Sequence, residues 1–367
     1  MARILGPACK GKARRRDSAR TSGAACNTIG KTMNAKKRQA IFIGTYSSRG
    51  SEGLYRAWLD ADAGRLSDLQ PAAPLSNPTF QAMHPAGNFL YSVSEERNEG
   101  RRMHGSVNAF EVAPETGRLK LLNKQLSKGD GPCHLCVDAR GRHLFVANYA
   151  SGSAAVFPIA KNGAIGEATS FVQHRGGSGV IPGRQDGPHA HSVTLSPDNR
   201  FAFAADLGMD RIMVYRMDAG SGALLACDPP DVAGAPGSGP RHMAFHPGGR
   251  HAYLVNELGN SVTAFQYEVA RGILKPIQTI SSLPENWSGT TSAADIHVSP
   301  DGRHLYASNR GHDSLACYEI EENSGMLVLK DFLPCGGRCP RNFLLAENGT
   351  LMLIANAESD SVSVFRV

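Results

Sequence analysis

The sequence predicts an all-β protein, a seven-bladed β-propeller whose first and last blades are incomplete. Three observations lead to this fold class: a hairpin pattern that recurs six times, a spacing of 47 to 58 residues between successive repeats, and a shorter seventh unit near the start. Glycine accounts for 40 of the 367 residues, as expected for many short strands joined by tight turns.

Each of the six repeats reads as an apolar strand, a tight turn and a second apolar strand. In turns such as Ser299-Pro300-Asp301-Gly302, proline presets φ at the second position and glycine accepts the positive φ that follows. The corresponding turn residues that set the register are Gly87, Gly141, Asn199, Gly249, Gly302 and Gly349. Periods near this length, with about four short strands per repeat, are typical of propeller blades.

The two ends of this repeat array do not complete each other. Residues 41–70 form a first unit that lacks its first strand, and residues 361–367 form only the third strand of the last blade. Propellers usually close when one terminus completes the blade begun by the other. The pattern therefore predicts a truncated chain, with a ring that is open between blades one and seven and has unpaired strand edges there.

Residues 1–38 form a basic tail that we predict to be disordered or not native, outside the propeller domain of residues 41–367. The tail contains 11 Lys/Arg and a single acid, Asp17, and it has neither a signal-peptide core nor an alternating apolar pattern, so we expect it to supply no strand to the incomplete blades. It could be an organellar transit peptide or upstream translation ahead of a true start at Met33. We favour the second interpretation because the regular pattern begins within ten residues of Met33.

Composition narrows the function classes. Residues 39–367 carry 28 Lys/Arg and 32 Asp/Glu, a net charge of −4, which argues against a nucleic-acid partner, and no apolar run is long enough to cross a membrane. Eight cysteines without a secretion signal indicate a reducing, cytoplasmic compartment. No metal site is expected, because Cys133 and Cys136 lie on one predicted strand and the pair Cys335/Cys339 lacks two further ligands.

The hairpin register places polar residues at one mouth of the predicted channel. Positions seven and eight before each turn lie beside positions seven and eight after it, and first strands line the channel of a propeller. The recurring asparagines seven residues after four of the turns are assigned to turn capping. Charged residues that break the repeat are better site candidates, and we expect a functional site formed by His191, Arg241, Glu257 and Arg310.

Several longer runs resemble one family. Residues 239–247, Asn256-Glu257-Leu258 and residues 293–306 closely resemble the propeller-type lactonases, which include the bacterial 6-phosphogluconolactonases, and residues 184–192 and 206–212 look like the same family's lactonase branch. The resemblance covers residues 41 to 367. It implies hydrolysis of a sugar lactone, foremost 6-phospho-D-glucono-1,5-lactone to 6-phosphogluconate in the pentose phosphate pathway, without metal or other cofactor.

The related carboxymuconate-lactonising enzymes use a His, an Arg, a Glu and a second Arg, which the resemblance carries over to His191, Arg241, Glu257 and Arg310. Lactone hydrolysis requires a base, either Glu257 or His191, and a positive group such as Arg241 for the developing oxyanion. Arg310 and Arg341 could hold a sugar phosphate. The residues expected to bind the small-molecule substrate are His189, His242, Asp295, His297 and Arg341.

Two other functions compete with lactone hydrolysis. The same four residues could serve a carboxymuconate-type lactonising reaction, or the propeller could be a non-enzymatic scaffold that presents its rim to a protein partner. Such a scaffold requires no concentration of His, Arg and Glu at the channel mouth, and no Gly-x-Ser-x-Gly nucleophile elbow points to a different hydrolase.

Overall fold

The computed structural model describes residues 19–20, 38–97 and 103–367, which form seven antiparallel sheets. The predicted seven-bladed propeller is confirmed. Blade one consists of β2 (Arg38–Ile43), β3 (Gly53–Asp60) and β4 (Arg65–Pro74). Its sheet has three strands, whereas each of the other six has four, so the predicted absence of a first strand from blade one is confirmed within the described residues.

Blades two to four follow in chain order, each from its inner to its outer strand. Their strands are β5 (Gln81–Met83), β6 (Phe89–Arg97), β7 (Met103–Val112) and β8 (Leu119–Asp130); β9 (Pro132–Val137), β10 (His143–Asn148), β11 (Ser153–Pro158) and β12 (Ser170–Gln173); and β13 (Ala190–Leu195), β14 (Phe201–Asp206), β15 (Arg211–Met217) and β16 (Leu224–Ala233). The first strands of successive blades lie next to one another and line the central channel.

Blades five to seven complete the ring. Their strands are β17 (Pro240–Phe245), β18 (His251–Asn256), β19 (Ser261–Glu268) and β20 (Ile273–Ser281); β21 (Ser292–Val298), β22 (His304–Arg310), β23 (Ser314–Ile320) and β24 (Leu327–Pro334); and β25 (Pro340–Ala346), β26 (Leu351–Asn356), β27 (Ser361–Arg366) and β1 (Ala19–Arg20). Two short 3-10 helices lie at Ser47–Arg49 and Glu347–Gly349. Within these ranges no helix has the length and hydropathy needed to span a membrane.

The outermost position of blade seven corrects one expectation about the tail. Ala19 and Arg20 of β1 pair antiparallel with Val362 and Ser361 of β27, where the other complete blades have their fourth strand. The expectation that the tail supplies no strand is therefore wrong for these two residues. Apart from Arg38, which begins β2, the remaining predictions for the tail concern residues outside the described ranges.

The junction between blades one and seven is closed by side-chain packing. Ile41 and Leu59 of blade one share a buried apolar cluster with Leu353 and Val364 of blade seven. Arg49 also forms a salt bridge with Asp360, with 3.0 Å between Nη2 and Oδ2. The expectation of an open ring is therefore wrong, because burial of two apolar sheet faces can join neighbouring blades without a shared strand.

The same kind of packing joins the other blades. Each apolar cluster combines side chains of two neighbouring sheets; one example places Tyr91 of blade two against Leu144 and Phe157 of blade three. Full burial of an aromatic or large aliphatic side chain stabilises a fold by about 1.5–3 kcal/mol. The ring thus provides a rigid frame around the channel, and the functional side chains project from its inner strands.

A β-bulge near the start of the inner strand recurs in five blades. In blade five, Pro240 pairs with Asn256 and His242 pairs with Val255, so that Arg241 is an extra residue without a partner in the ladder. The bulges of the other blades lie at Cys133, His191, Ala294/Asp295 and Arg341. Because a bulge bends its strand and re-aims a side chain, it directs His191, Arg241 and Arg341 toward one mouth of the channel.

Candidate active site

Glu257 occupies the centre of this mouth and is 5% exposed. It directly follows β18, and its backbone N–H donates to the carbonyl of Gly239 at 2.7 Å. Oε2 accepts a hydrogen bond from Arg241 Nε at 2.8 Å and forms an ion pair with Arg310 Nη2 at 3.0 Å, and Oε1 accepts a hydrogen bond from Arg184 Nη2 at 2.6 Å. Burial opposes ionisation, but the three guanidinium groups hold the pKa of Glu257 well below its usual range. The carboxylate is therefore anionic and a weak base.

Arg241 is almost fully buried, and its guanidinium group is held on two sides. Nε donates to Glu257, while Nη1 donates to the carbonyl of Ala294 and to Nε2 of His242, the latter at 3.3 Å. Burial, together with the nearby Arg310 and other positive charge, lowers the pKa of Arg241 to about 10, so the group remains charged at neutral pH. Nη2 has no hydrogen-bond partner in the described part of the chain and is free to meet a ligand.

Arg310, the last residue of β22, is held mainly by backbone. Its Nη2 donates to the carbonyl of Ala293 at 3.0 Å and is ion-paired with Glu257, and Nε donates to the carbonyl of Ser292 at 3.3 Å. In the structure Arg310 therefore contacts groups of the protein itself, whereas the sequence suggested a sugar phosphate as its partner. Its positive charge stabilises the ionised form of Glu257.

His191 is the buried imidazole at the bulge of β13. Its Nε2 lies 3.7 Å from Glu257 Oε2, and its Nδ1 lies 3.8 Å from the thiol sulfur of Cys133. Burial and the positive charge of Arg241 hold the pKa of His191 well below its usual value. The ring is therefore neutral at physiological pH and has a lone pair that can accept a proton, although the same shift makes it a weaker base than a free imidazole.

Arg184 is a site residue that sequence reasoning did not single out. It lies on the loop of residues 174–189, between β12 and β13, and its side chain is 41% exposed above Glu257. Two buried carboxylates anchor the loop: Gln185 Nε2 donates to Asp210 at 2.7 Å, and the backbone N–H of His189 donates to Asp206 at 2.8 Å. The signal in the sequence was the longest repeat spacing, 58 residues, which marks an insertion at this blade.

Arg341 projects into the same mouth from the bulge of β25. Its guanidinium carbon lies 5.6 Å from the ring centroid of Tyr46, a cation–π distance. Its buried Nε has no hydrogen-bond partner among the described residues. Arg341 therefore differs from Arg241 and Arg310, whose guanidinium groups pair with Glu257.

The other predicted site residues divide into two groups. His189 stacks on Tyr149 with 4.5 Å between ring centroids, at the edge of the mouth. His242, Asp295 and His297 instead form a chain inside the channel, beneath Arg241, with His242 Nδ1 2.8 Å from Asp295 Oδ1 and His297 Nε2 3.0 Å from Asp295 Oδ2. The structure does not bring Asp295 or His297 to Glu257, and their predicted contact with substrate stays a prediction.

The hydrogen-bonded chain of His242, Asp295 and His297 borders a cavity of about 290 Å³. Burial and Arg241 lower the pKa of His242 to about 4, although Asp295 opposes the shift. The pKa of His297 is raised, because the carboxylate of Asp295 outweighs the effect of burial. Within the described ranges, no group of three His, Cys, Asp or Glu side chains is arranged to hold a metal ion.

Together, the propeller and its mouth define an enzyme of hydrolytic type, with a neutral imidazole, a fixed guanidinium group and an anionic carboxylate around one opening. Residues 40–367 match the family described as "Lactonase, 7-bladed beta-propeller", and the chain belongs to this family. It is accordingly a lactonase, a carboxylic ester hydrolase, and the predicted family and enzyme class are confirmed.

Named relatives agree with this assignment. The chain is 35% identical to a 6-phosphogluconolactonase of Bacillus subtilis over 88% of this chain and 90% of the relative. It is 34% identical to a 6-phosphogluconolactonase of Formosa agariphila over 89% and 92% of the two chains. Among solved structures, the periplasmic gluconolactonase of Pseudomonas aeruginosa is 34% identical and superimposes with a TM-score of 0.84, covering 90% of this chain and 92% of that one.

Proposed function

We propose that this protein hydrolyses 6-phospho-D-glucono-1,5-lactone to 6-phosphogluconate, the lactone-opening step of the pentose phosphate pathway. The observation that carries the proposal is the neutral imidazole of His191 beside the fixed guanidinium group of Arg241, both facing one mouth with Glu257 between them. Relatives named as 6-phosphogluconolactonases support the choice of lactone. We place the reaction in the cytoplasm, in keeping with free thiols such as Cys136 and Cys227.

His191 is the general base of the proposed mechanism, because the carboxylate of Glu257 is already paired with guanidinium groups and is too weak a base. His191 takes a proton from water as the water oxygen bonds to the lactone carbonyl carbon. The carbonyl oxygen becomes anionic and is held by Arg241 Nη2. Glu257 Oε2, 3.7 Å from the His191 ring, stabilises the imidazolium that forms.

The second half of the reaction returns this proton. The tetrahedral intermediate collapses, the bond between the carbonyl carbon and the ring oxygen breaks, and His191 protonates the departing alkoxide. The new carboxylic acid loses its proton to solvent, so that one proton is released per lactone opened. Arg310 and Arg184 contribute by keeping Glu257 anionic and in place.

The proposed phosphate contact rests on Arg341. A planar guanidinium group can donate two parallel hydrogen bonds to a phosphate, and that of Arg341 faces the ring of Tyr46 and has no ion-pair partner in the described part of the chain. Arg310 is less suited to this task, since its Nε and Nη2 already donate to backbone carbonyls and the group is ion-paired with Glu257.

The activity can be tested by following proton release from glucono-1,5-lactone with and without a 6-phosphate. We expect both lactones to open faster than they do spontaneously, and kcat/KM to be about tenfold or more higher for the phosphorylated one, as a charge-assisted contact predicts. If neither lactone opened faster than it does spontaneously, the proposed function would be wrong. Equal kcat/KM for the two lactones would show that the enzyme does not recognise the phosphate. Turnover of carboxymuconolactone alone would favour the lactonising reaction instead.

Arg341→Met tests the phosphate contact separately from the chemistry. We expect KM for the phosphorylated lactone to rise by about tenfold to hundredfold, since a hydrogen bond to a charged group contributes about 1.5–3 kcal/mol. Hydrolysis of the unphosphorylated lactone should change little. Arg216→Met, which alters an exposed side chain on β15, is the matched control. A parallel loss on both lactones would show that Arg341 does not read the phosphate.

A further inference from the structure

A hydrogen-bonded chain leads from the guanidinium group of Arg241 into the channel. Arg241 Nη1 lies 3.3 Å from His242 Nε2, and His242 Nδ1 lies 2.8 Å from Asp295 Oδ1. A guanidinium group only donates hydrogen bonds and a carboxylate only accepts them. His242 must therefore carry its proton on Nδ1 and offer the lone pair of Nε2 to Arg241.

Asp295 is itself held in place from three further directions. Its Oδ2 accepts hydrogen bonds from His297 Nε2 at 3.0 Å, from Asn342 Nδ2 at 2.5 Å and from the backbone N–H of Phe343 at 3.2 Å. Asp295 is 3% exposed, so the carboxylate has little freedom to turn. Its partners come from blades five, six and seven, and the chain therefore ties three blades to one side of Arg241.

The bulge of blade six explains why Asp295 can reach His242. Ala294 and Asp295 together face the single residue Ser308, and the backbone N–H of Asp295 donates to the Ser308 hydroxyl at 3.0 Å. The same bulge presents the carbonyl of Ala294 to Arg241 Nη1. This bulge thus supplies Ala294, which binds the guanidinium group of Arg241 directly, and Asp295, which binds it through His242.

We propose that Asp295 is a positioning residue for lactone hydrolysis, which acts through the Nδ1–H tautomer of His242 to set the orientation of Arg241. This inference rests on the role proposed above for Arg241. With Nε bound to Glu257 and Nη1 bound to Ala294 and His242, the guanidinium plane cannot rotate, and Nη2 stays directed at the mouth. Asp295 and His242 then affect the transition state without contacting the substrate, because loss of alignment weakens the contact to the oxyanion.

Two substitutions of His242 separate positioning from packing. His242→Phe keeps an aromatic ring in a cavity already lined by Phe80 and Phe343, but it removes both hydrogen bonds. His242→Gln fills the space less well, yet it keeps an oxygen that can accept from Arg241. We expect His242→Phe to lower kcat by about tenfold to hundredfold with KM within about twofold, and His242→Gln to recover part of that loss.

Asp295→Asn, like His242→Phe, should lower kcat and leave KM unchanged. The controls are His304→Phe, at the opposite end of a hairpin, and Asp198→Asn in a surface turn, both expected to retain wild-type kinetics. A His242→Phe variant at least as active as His242→Gln would show a packing role and overturn the proposal.

The tautomer provides a readout that does not depend on activity. In protein labelled with 15N-histidine, the His242 signal, assigned by its loss in His242→Phe, should report a proton on Nδ1 in wild type and a changed tautomer population in Asp295→Asn. An Nε2–H tautomer in wild type would overturn the proposal whatever the kinetics. Conversely, an Nδ1–H tautomer combined with full activity of an Arg241 variant would count against the proposed role of Arg241 and leave the contact chain supported.

Discussion

Arg241→Ala is expected to lower kcat for lactone opening by about 10²- to 10³-fold, the loss typical of removing one preorganised oxyanion donor. The residue is 1% exposed and its side chain is already held by Glu257, Ala294 and His242, so no reorganisation is required as charge develops on the carbonyl oxygen. KM should change less than kcat, because the ground-state carbonyl carries little charge. The measurement is steady-state proton release from 6-phosphogluconolactone and from the unphosphorylated lactone, both of which should be affected.

Arg241→Lys sharpens this prediction. Lysine keeps a positive charge but cannot contact Glu257, Ala294 and His242 in one plane, and we therefore expect only partial recovery of kcat over Arg241→Ala. Arg200→Ala, which removes a surface guanidinium group paired with Asp198, is the control and should behave as wild type. Because Arg241 is buried, circular dichroism and a denaturation curve must show that the variants are folded. A folded Arg241→Ala enzyme with wild-type kcat would remove Arg241 from the mechanism.

The repeat pattern was sufficient to predict the ring, because each hairpin turn carries its own local signal. Proline and glycine at the turns, and alternation along the strands, depend on neighbouring residues and can be read without any long-range contact. Closure of the ring depends on such contacts. The packing of Ile41 and Leu59 against Leu353 and Val364 joins residues about 300 positions apart, which no local pattern reports.

The register also predicted that four candidate side chains meet at one mouth, but it could not describe their contacts. His191, Arg241, Glu257 and Arg310 do lie together, since positions opposite each other in a hairpin remain opposite in the fold. The bulges at His191 and Arg241 were not foreseen, because a single extra residue leaves the apolar alternation almost unchanged. They decide which way the side chains point; the bulge at Arg241 is followed by His242 in the channel, and a separate bulge in blade six places Asp295 beside it.

The chemical roles of the charged groups likewise could be assigned only from the three-dimensional structure. Glu257 and His191 were equal candidates for the base as long as only their residue types were known. Three guanidinium groups around Glu257 favour the carboxylate, whereas burial beside Arg241 favours the neutral form of His191. Arg184 contributes one of these groups from an insertion outside the repeat, where the hairpin register has no predictive value.

Glu257→Gln is expected to reduce both activity and stability. The amide keeps the shape of the carboxylate but leaves Arg241, Arg310 and Arg184 without their shared counter-charge. We expect kcat to fall by at least about 10²-fold, because the His191 imidazolium loses its nearby anion and Arg241 loses its strongest acceptor. The free energy of unfolding at pH 7 should fall by about 3 kcal/mol, the lower part of the range for breaking a buried ion pair.

The pH dependence of this stability difference tests its electrostatic origin. The pKa of Glu257 is depressed in the folded protein, so its ionisation stabilises the fold above the unfolded-state pKa of about 4.3, and the benefit is lost as the pH falls. The gap in unfolding free energy between wild type and Glu257→Gln, measured by urea denaturation, should therefore be largest near pH 7 and shrink below about pH 4. Glu319→Gln, which neutralises an exposed partner of Lys330, should show a gap of about 1 kcal/mol or less at every pH. A Glu257→Gln gap that did not vary with pH would identify lost packing, and not lost charge, as its cause.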